Sequence, residues 1–242
     1  MARFRRVVAI DIPHHITQRS NARRQVFDCE ADRLIYLRLL REHCQLSQLS
    51  LLGYCLMSNH VHLVAIPRRI DSMALTLRHT HGRYAAYLNT RQQVTGHVWQ
   101  GRYYSCPLGE GHVWAALRYI ECNPVRAGIV TAPESYAWSS AAAHSHGEDG
   151  RNLLELHSWM ASWTPQEWRA FIGAPAASDH EQEEAAAIRK STHTGRPLGA
   201  ADFVRDLERR LGRALAPLPG GRPRKRQADG VQQTFSYLAA GA

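Results

Sequence analysis

Among the chain's 14 histidines are three His-x-His pairs, His60/His62, His79/His81 and His144/His146. Side chains at i and i+2 share a face on a strand and diverge on a helix. His60 and His62 sit in an alternating apolar run, so both imidazoles can converge on one ion while Val61 points into the opposite layer. His79 and His81 fall in a helical stretch, and His144 and His146 lie among Ser and Gly without a rigid support. With so many histidines, about one such pair arises by chance, and alone His60/His62 reads more readily as a solvated or hydrogen-bonded pair than as ligands.

Tyr119 gives a bound ion something to act on. It falls on a helix-patterned run with Asn123 four residues on, hence on the same side, and Ala115 and Ala116 one turn earlier leave room beside the phenol. With an ordinary pKa of about 10, a phenol is a poor nucleophile at neutral pH. An ion held by His60 and His62 would polarise a phosphodiester and orient it for in-line attack by Tyr119. The resulting phosphotyrosine would conserve the diester and permit rejoining without ATP. A half-buried helix aromatic is the commoner fate of a tyrosine, and Asn123 also serves simply as the residue before Pro124.

These residues need a scaffold. Residues 5–18 alternate around Val7, Ala9, Ile10, Ile12 and Ile16 and predict a first strand despite Pro13. Leu34, Leu37 and Leu40, widened by Ile35 and Leu39, predict a buried helix over 30–46. Two apolar runs, Ser50–Met57 and His60–Ile66, joined by Ser58-Asn59, predict a β-hairpin. A helix over 71–90, a strand within His97–Leu108 and a helix from His112 to Asn123, stopped by Pro124, complete the order β-α-β-β-α-β-α. That order predicts an α+β fold, a ferredoxin-like (split β-α-β) antiparallel sheet with one extra helix, followed by a small helical C-terminal region.

The first domain spans residues 1–132, and residues 133–150, with Ser139, Ser140, Gly147 and Gly150, read as a linker. Residues 151–215 form a helical accessory region: Thr164-Pro165-Gln166-Glu167 is a capping box, Glu181–Lys190 is charged to suit a helix dipole, and Phe203, Leu207 and Leu211 mark a last amphipathic helix. Residues 216–242 form a flexible tail with a basic run at Arg222–Arg226.

Charge points to a polyanion. The net charge is +9 over 242 residues; residues 1–130 hold 17 arginines against 8 acidic residues, and the remainder holds 13 basic against 13 acidic. The entire excess therefore lies beside the candidate chemistry, as phosphate neutralisation would require. Only Lys190 and Lys225 are lysines, a bias that genome composition explains as well, although it does not explain the asymmetry. Five cysteines without a close pair argue against a disulfide framework or a structural zinc site. No signal peptide or membrane-length apolar run is readable, so a cytoplasmic protein with no membrane partner is expected.

The segments Met57-Ser58-Asn59-His60-Val61-His62-Leu63-Val64 and Tyr119-Ile120-Glu121-Cys122-Asn123-Pro124-Val125-Arg126-Ala127-Gly128 together resemble the single-tyrosine HUH transposases, in particular the REP-associated tyrosine transposases. His15-Ile16-Thr17-Gln18-Arg19-Ser20-Asn21 and Trp99-Gln100-Gly101-Arg102-Tyr103 look like further family segments, and the resemblance covers about residues 5–140. It implies that the extra helix is catalytic, that His60 and His62 hold Mg²⁺ or Mn²⁺, and that Tyr119 forms a 5′-phosphotyrosine with single-stranded DNA. Asn123 stands where these enzymes place a further polar metal ligand, often Gln. The implied partner is DNA carrying palindromic repeats that fold as hairpins, met at the nucleoid by a monomer or homodimer. Arg19, Arg23, Arg24 and Arg102 are the arginines placed to contact it, although any one serves equally as a solvated charge. Trp99, Tyr103 and Tyr104 could stack on bases or pack the core. The basic tail resembles a minor-groove hook but lacks its leading Arg, and reads as a nonspecific electrostatic arm. Two other readings share these residues: a non-cleaving regulator that binds palindromic repeats, and a metal-dependent hydrolase acting through water.

Overall fold

The computed structural model describes residues 5–174 and 179–216. Its first half follows the expected order: β1 (His14–Arg19), α1 (Glu30–Leu46), β2 (Leu49–Met57), β3 (His60–Pro67), α2 (Ser72–Gln92), β4 (Tyr104–Pro107) and α3 (Glu110–Glu121). The four strands form one sheet in the order β2-β3-β1-β4, and every neighbouring pair is antiparallel. Each β-α-β unit is thereby split by a strand from the other, the ferredoxin-like arrangement.

Strand alternation divides the sheet into two chemically different faces. Ile16, Val61, Leu63 and Ala65 point into a core shared with α1 and α2 through Tyr36, Leu40, Leu77 and Tyr84. Val64, Ile66, Cys55 and Cys106 point into a second core with α3, through Val113, Leu117 and Ile120. His15, His60 and His62 share this second face, since β1 and β3 pair with Thr17 opposite His62 and Arg19 opposite His60. Gly53, beside a register shift in β2, lets α3 lie close: a Cβ there would stand 2.3 Å from Leu117 Cδ2 and 2.9 Å from Ser140 Oγ.

Several boundaries depart from expectation. The first strand begins only at His14, because Pro13 offers no N–H and Asp11 takes a left-handed φ of 60° while donating to the Pro67 carbonyl. Val7 and Ala9 instead pack against the late helix residue Leu207. Strand β4 is four residues long, because Gly101 turns the preceding chain with φ +74°. Pro124 does not end the chain's helical path. It occupies the first turn of a short helix, α4 (Asn123–Arg126), where a missing N–H is harmless.

Residues 133–150, expected as a linker, are built into the core. A 3₁₀ turn at Pro133–Ser135 leads to α5 (Ala141–His146), whose Ala141, His144 and Ser145 are buried. The serines that suggested solvent face the edge of β2: the Ser140 N–H donates to the Tyr54 carbonyl at 2.9 Å, and Ser140 Oγ accepts from the Tyr54 N–H at 3.0 Å. The accessory helices follow as α6 (His157–Met160), α7 (Pro165–Gly173), α8 (Asp179–Thr194) and α9 (Ala201–Leu211). Thr164 and Glu167 form the expected reciprocal capping box on α7. Trp159, Trp168, Ile172 and Ile188 from α6, α7 and α8 join the second core, so the accessory region extends the chemically loaded face. The basic run at 222–226 lies outside the described residues.

Candidate active site on the second face of the sheet

The sheet places His15, His60 and His62 side by side, and α3 lowers Tyr119 onto them. The Tyr119 ring stands edge-on to His62 at 5.7 Å between centroids and edge-on to His15 at 5.8 Å. His60 and His62 are 5.0 Å apart. Histidines and tyrosine therefore meet within a single chain. Tyr119 is 9% exposed, and its hydroxyl has no hydrogen-bond partner among the described residues.

Each histidine of the pair is anchored through one nitrogen. His60 Nδ1 meets Asn59 Oδ1 at 2.6 Å, and His62 Nδ1 meets His15 Nε2 at 3.0 Å. His15 Nδ1 in turn meets Thr192 Oγ1 at 2.7 Å, and that hydroxyl donates to the Ile188 carbonyl at 2.7 Å. The other ring nitrogens, Nε2 of His60 and of His62, have no hydrogen-bond partner among the described residues. Burial, followed by the nearby Arg19 charge, pushes the His60 pKa down to about 4. Burial, then the neighbouring His15 and His60 charges, holds His62 well below the usual imidazole range, and burial takes His15 to about 3. All three rings are thus neutral near pH 7, each with a lone pair.

Asn123 and Arg126 flank the phenol. The Arg126 guanidinium lies over the Tyr119 ring at 4.6 Å, donates to the Tyr119 carbonyl, and reaches Asn123 Oδ1 at 3.4 Å. The amide oxygen read as a third ligand thus faces a cation. Among the described residues no group of three or more His, Cys, Asp or Glu is arranged to hold a metal ion. The donor set is therefore two imidazoles, which suits a divalent ion whose remaining positions are filled by amide, phosphate or water oxygens.

Of the predicted DNA contacts, Arg19 is exposed at the end of β1 and near enough to depress both imidazoles. Arg23 and Arg24 stand on the following turn, where Asn59 Nδ2 donates to the Arg23 carbonyl at 3.2 Å and Arg24 reaches the His97 carbonyl at 3.4 Å. Arg102 lies apart from the histidines, exposed beside Tyr103. Trp99 packs on His81 at 4.5 Å and Tyr103 is buried beneath Arg6, so both are packing aromatics, whereas Tyr104 is half-buried against His193.

Three features escaped the sequence. His15 and Thr192, 177 positions apart, orient His62. Two residues beyond Tyr119, the fully buried Glu121 accepts from Ser140 Oγ at 2.5 Å, His144 Nδ1 at 2.6 Å and Trp168 Nε1 at 2.9 Å. His144, set aside as lacking a rigid support, is one of the three groups that pin the end of α3.

Residues 9–123 match the family model described as "Transposase IS200 like". That segment, just under half of the chain, is similar to the IS200-like transposases. Among solved structures, the chain is similar to a REP-associated tyrosine transposase bound to a REP hairpin, with a TM-score of 0.53 and 15% identity over 64% of this chain and 92% of that one. A crystal structure from Deinococcus radiodurans with a provisional transposase designation aligns at TM-score 0.34 and 19% identity, over 53% of this chain and 92% of the other. No curated protein sequence matches the chain significantly. The α+β fold is that of the REP-associated enzyme, and no helix among the described residues is long and apolar enough to cross a membrane.

Proposed function

We propose that this protein cleaves and rejoins single-stranded DNA beside hairpin-forming palindromic repeats at the nucleoid, through a 5′-phosphotyrosine on Tyr119. The observation that carries the reading is the Tyr119 ring set edge-on to His62, at 5.7 Å, inside one chain. Attack by Tyr119 Oη on the scissile phosphorus forms the P–O(Tyr) bond and breaks the P–O3′ bond; the phenol proton goes to solvent and the other strand end leaves as a 3′-hydroxyl. Attack by a 3′-hydroxyl on the phosphotyrosine restores the diester and the phenol, so no ATP is consumed. His60 Nε2 and His62 Nε2 would hold Mg²⁺ or Mn²⁺, and Asn123 would complete the set on giving up its long contact to Arg126. When bound, the ion neutralises charge on the phosphate under attack. Arg126, 4.6 Å over the phenol ring, would hold the ring in place for attack. Arg19, Arg23, Arg24 and Arg102 supply phosphate contacts for the incoming strand.

The test is incubation with a hairpin-bearing oligonucleotide and Mg²⁺ or Mn²⁺, followed by denaturing electrophoresis. A covalent protein–DNA band that disappears in Tyr119→Phe is the expected result. Tight hairpin binding without cleavage under either metal would establish the regulator reading instead. Free DNA ends without an adduct would establish hydrolysis by water.

A further inference from the structure

A cleft of about 550 Å³ opens beside Tyr119. Its volume falls in the range of about 300–1,000 Å³ typical of small-molecule sites. One wall is the transposase-like segment, with Ala115, Tyr119 and Cys122; the other is accessory, with Ile172 of α7 and Ala185 and Ile188 of α8. The accessory wall lies beyond residue 123, where the family match ends. Arg126 and Arg189 also line it, both exposed. Neither has a carboxylate partner among the described residues. Arg118 and the carboxylates Glu134 and Glu184 complete the polar part of the lining. Three arginines against two carboxylates, beside an apolar slot, leave a positive excess that an anion with an apolar appendage would complete.

We infer that this cleft receives the nucleotide adjoining the scissile phosphate, its base against Ile172 and Ile188 and its backbone phosphate between Arg126 and Arg189. The location rests on Tyr119 as nucleophile. A single strand has unstacked bases whose faces need cover, and apolar walls supply it without reading sequence. The chain's own tail is a poorer occupant, because Arg222, Arg224, Lys225 and Arg226 carry the same sign as the two arginines. The accessory region thereby contributes half of a substrate subsite.

The experiment uses the full chain and hairpin oligonucleotides with 2-aminopurine placed in turn at each unpaired position, read by fluorescence on binding, with adduct formation scored separately. One position should change its fluorescence with the wild type and not with Ala185→Trp, which fills the slot. Affinity for the tailed oligonucleotide should fall about tenfold, the loss of one stacked base, while affinity for the bare hairpin stays within about twofold. Arg189→Glu, an exposed charge reversal that leaves the core untouched, should weaken tailed DNA by a similar factor. An unchanged signal in both variants overturns the inference. So does a wild type in which no position responds although the adduct forms, or one in which a response appears only after residues 217–242 are removed. A response abolished by Ala185→Trp in a protein that never forms an adduct would uphold the cleft and refute strand cleavage.

Discussion

On the face of the sheet beneath α1 and α2, Ile16, Val61, Leu63 and Ala65 meet Tyr36, Leu40 and Tyr84; there Tyr36 bonds His81 at 3.0 Å and the Tyr84 hydroxyl donates to the Val26 carbonyl, while the unpartnered polar atoms, such as Tyr103 Oη and Thr80 Oγ1, are scattered singly among the described residues. On the opposite face, polar groups are equally buried but arranged in rows that end on unused atoms. The Ile188–Thr192–His15–His62 row ends at His62 Nε2, and α3, pinned by Glu121, presents an unbonded phenol. Buried polarity, and an occasional unpartnered atom, are common to both faces; free imidazole nitrogens that converge beside one phenol mark the functional one.

The largest contrast is between two tyrosines. Tyr119→Phe is expected to abolish adduct formation and change stability by less than about 1 kcal/mol, since its hydroxyl bonds nothing among the described residues. Tyr84→Phe should do the reverse, costing about 1–2 kcal/mol in a denaturant melt with adduct yield per folded molecule intact. If Tyr84→Phe also removes the adduct, the two faces are not separable.

Two buried carboxylates come next. Glu121→Ala and Asp32→Ala each strand several donors, and each is expected to cost about 3–5 kcal/mol. Only Glu121→Ala should also slow the adduct rate of the folded fraction, measured by quenched flow.

Acid should erode both sides of the sheet, since His15, His60 and His62 are depressed on one side and His14 and His81 on the other. Burial lowers His14 to about 4 and His81 to about 3, whereas their unfolded forms take up protons below about 6.5. The unfolded state therefore binds more protons in this window, so stability is complete above about pH 6.5 and falls as pH drops, by about 3 kcal/mol for each of His14 and His81 by about pH 4. Chemical melts between pH 7 and 4 should show the loss, and His81→Phe should flatten it.

The smallest effect sharpens the contrast most. Thr192→Val removes the partner that fixes His15 and should weaken Mn²⁺ binding, by calorimetry, about 10–100-fold, with Thr192→Ser restoring it. Thr76→Val, which loses only a bond to the His43 carbonyl, should cost about 1 kcal/mol of stability and leave Mn²⁺ affinity unchanged.

The hairpin carrying His60 and His62, and both long helices of the first face, were legible because their apolar periods run uninterrupted. Tyr119 and Asn123 were legible as residues on one side of a helix, but the Asn123 contact to Arg126 was not, since it depends on where α4 turns after Cys122. The reading of 133–150 as a linker failed because serine and glycine mark solvent and strand edges alike, and only the sheet reveals that Ser140 caps an edge. His15, Thr192, Glu121 and Trp168 were invisible as a set because long-range polar pairing leaves no period in a sequence.

Gly53 gives the spacing of the site a gauge. Leu117 already occupies the place where its Cβ would be, and Tyr119 is two residues further along the same helix. The gap between nucleophile and imidazoles is thus set from beneath by a missing methyl group. A lineage that replaced this glycine would have to thin Leu117 and make room at Ser140 in the same step, which makes positions 53, 117 and 140 a single heritable unit.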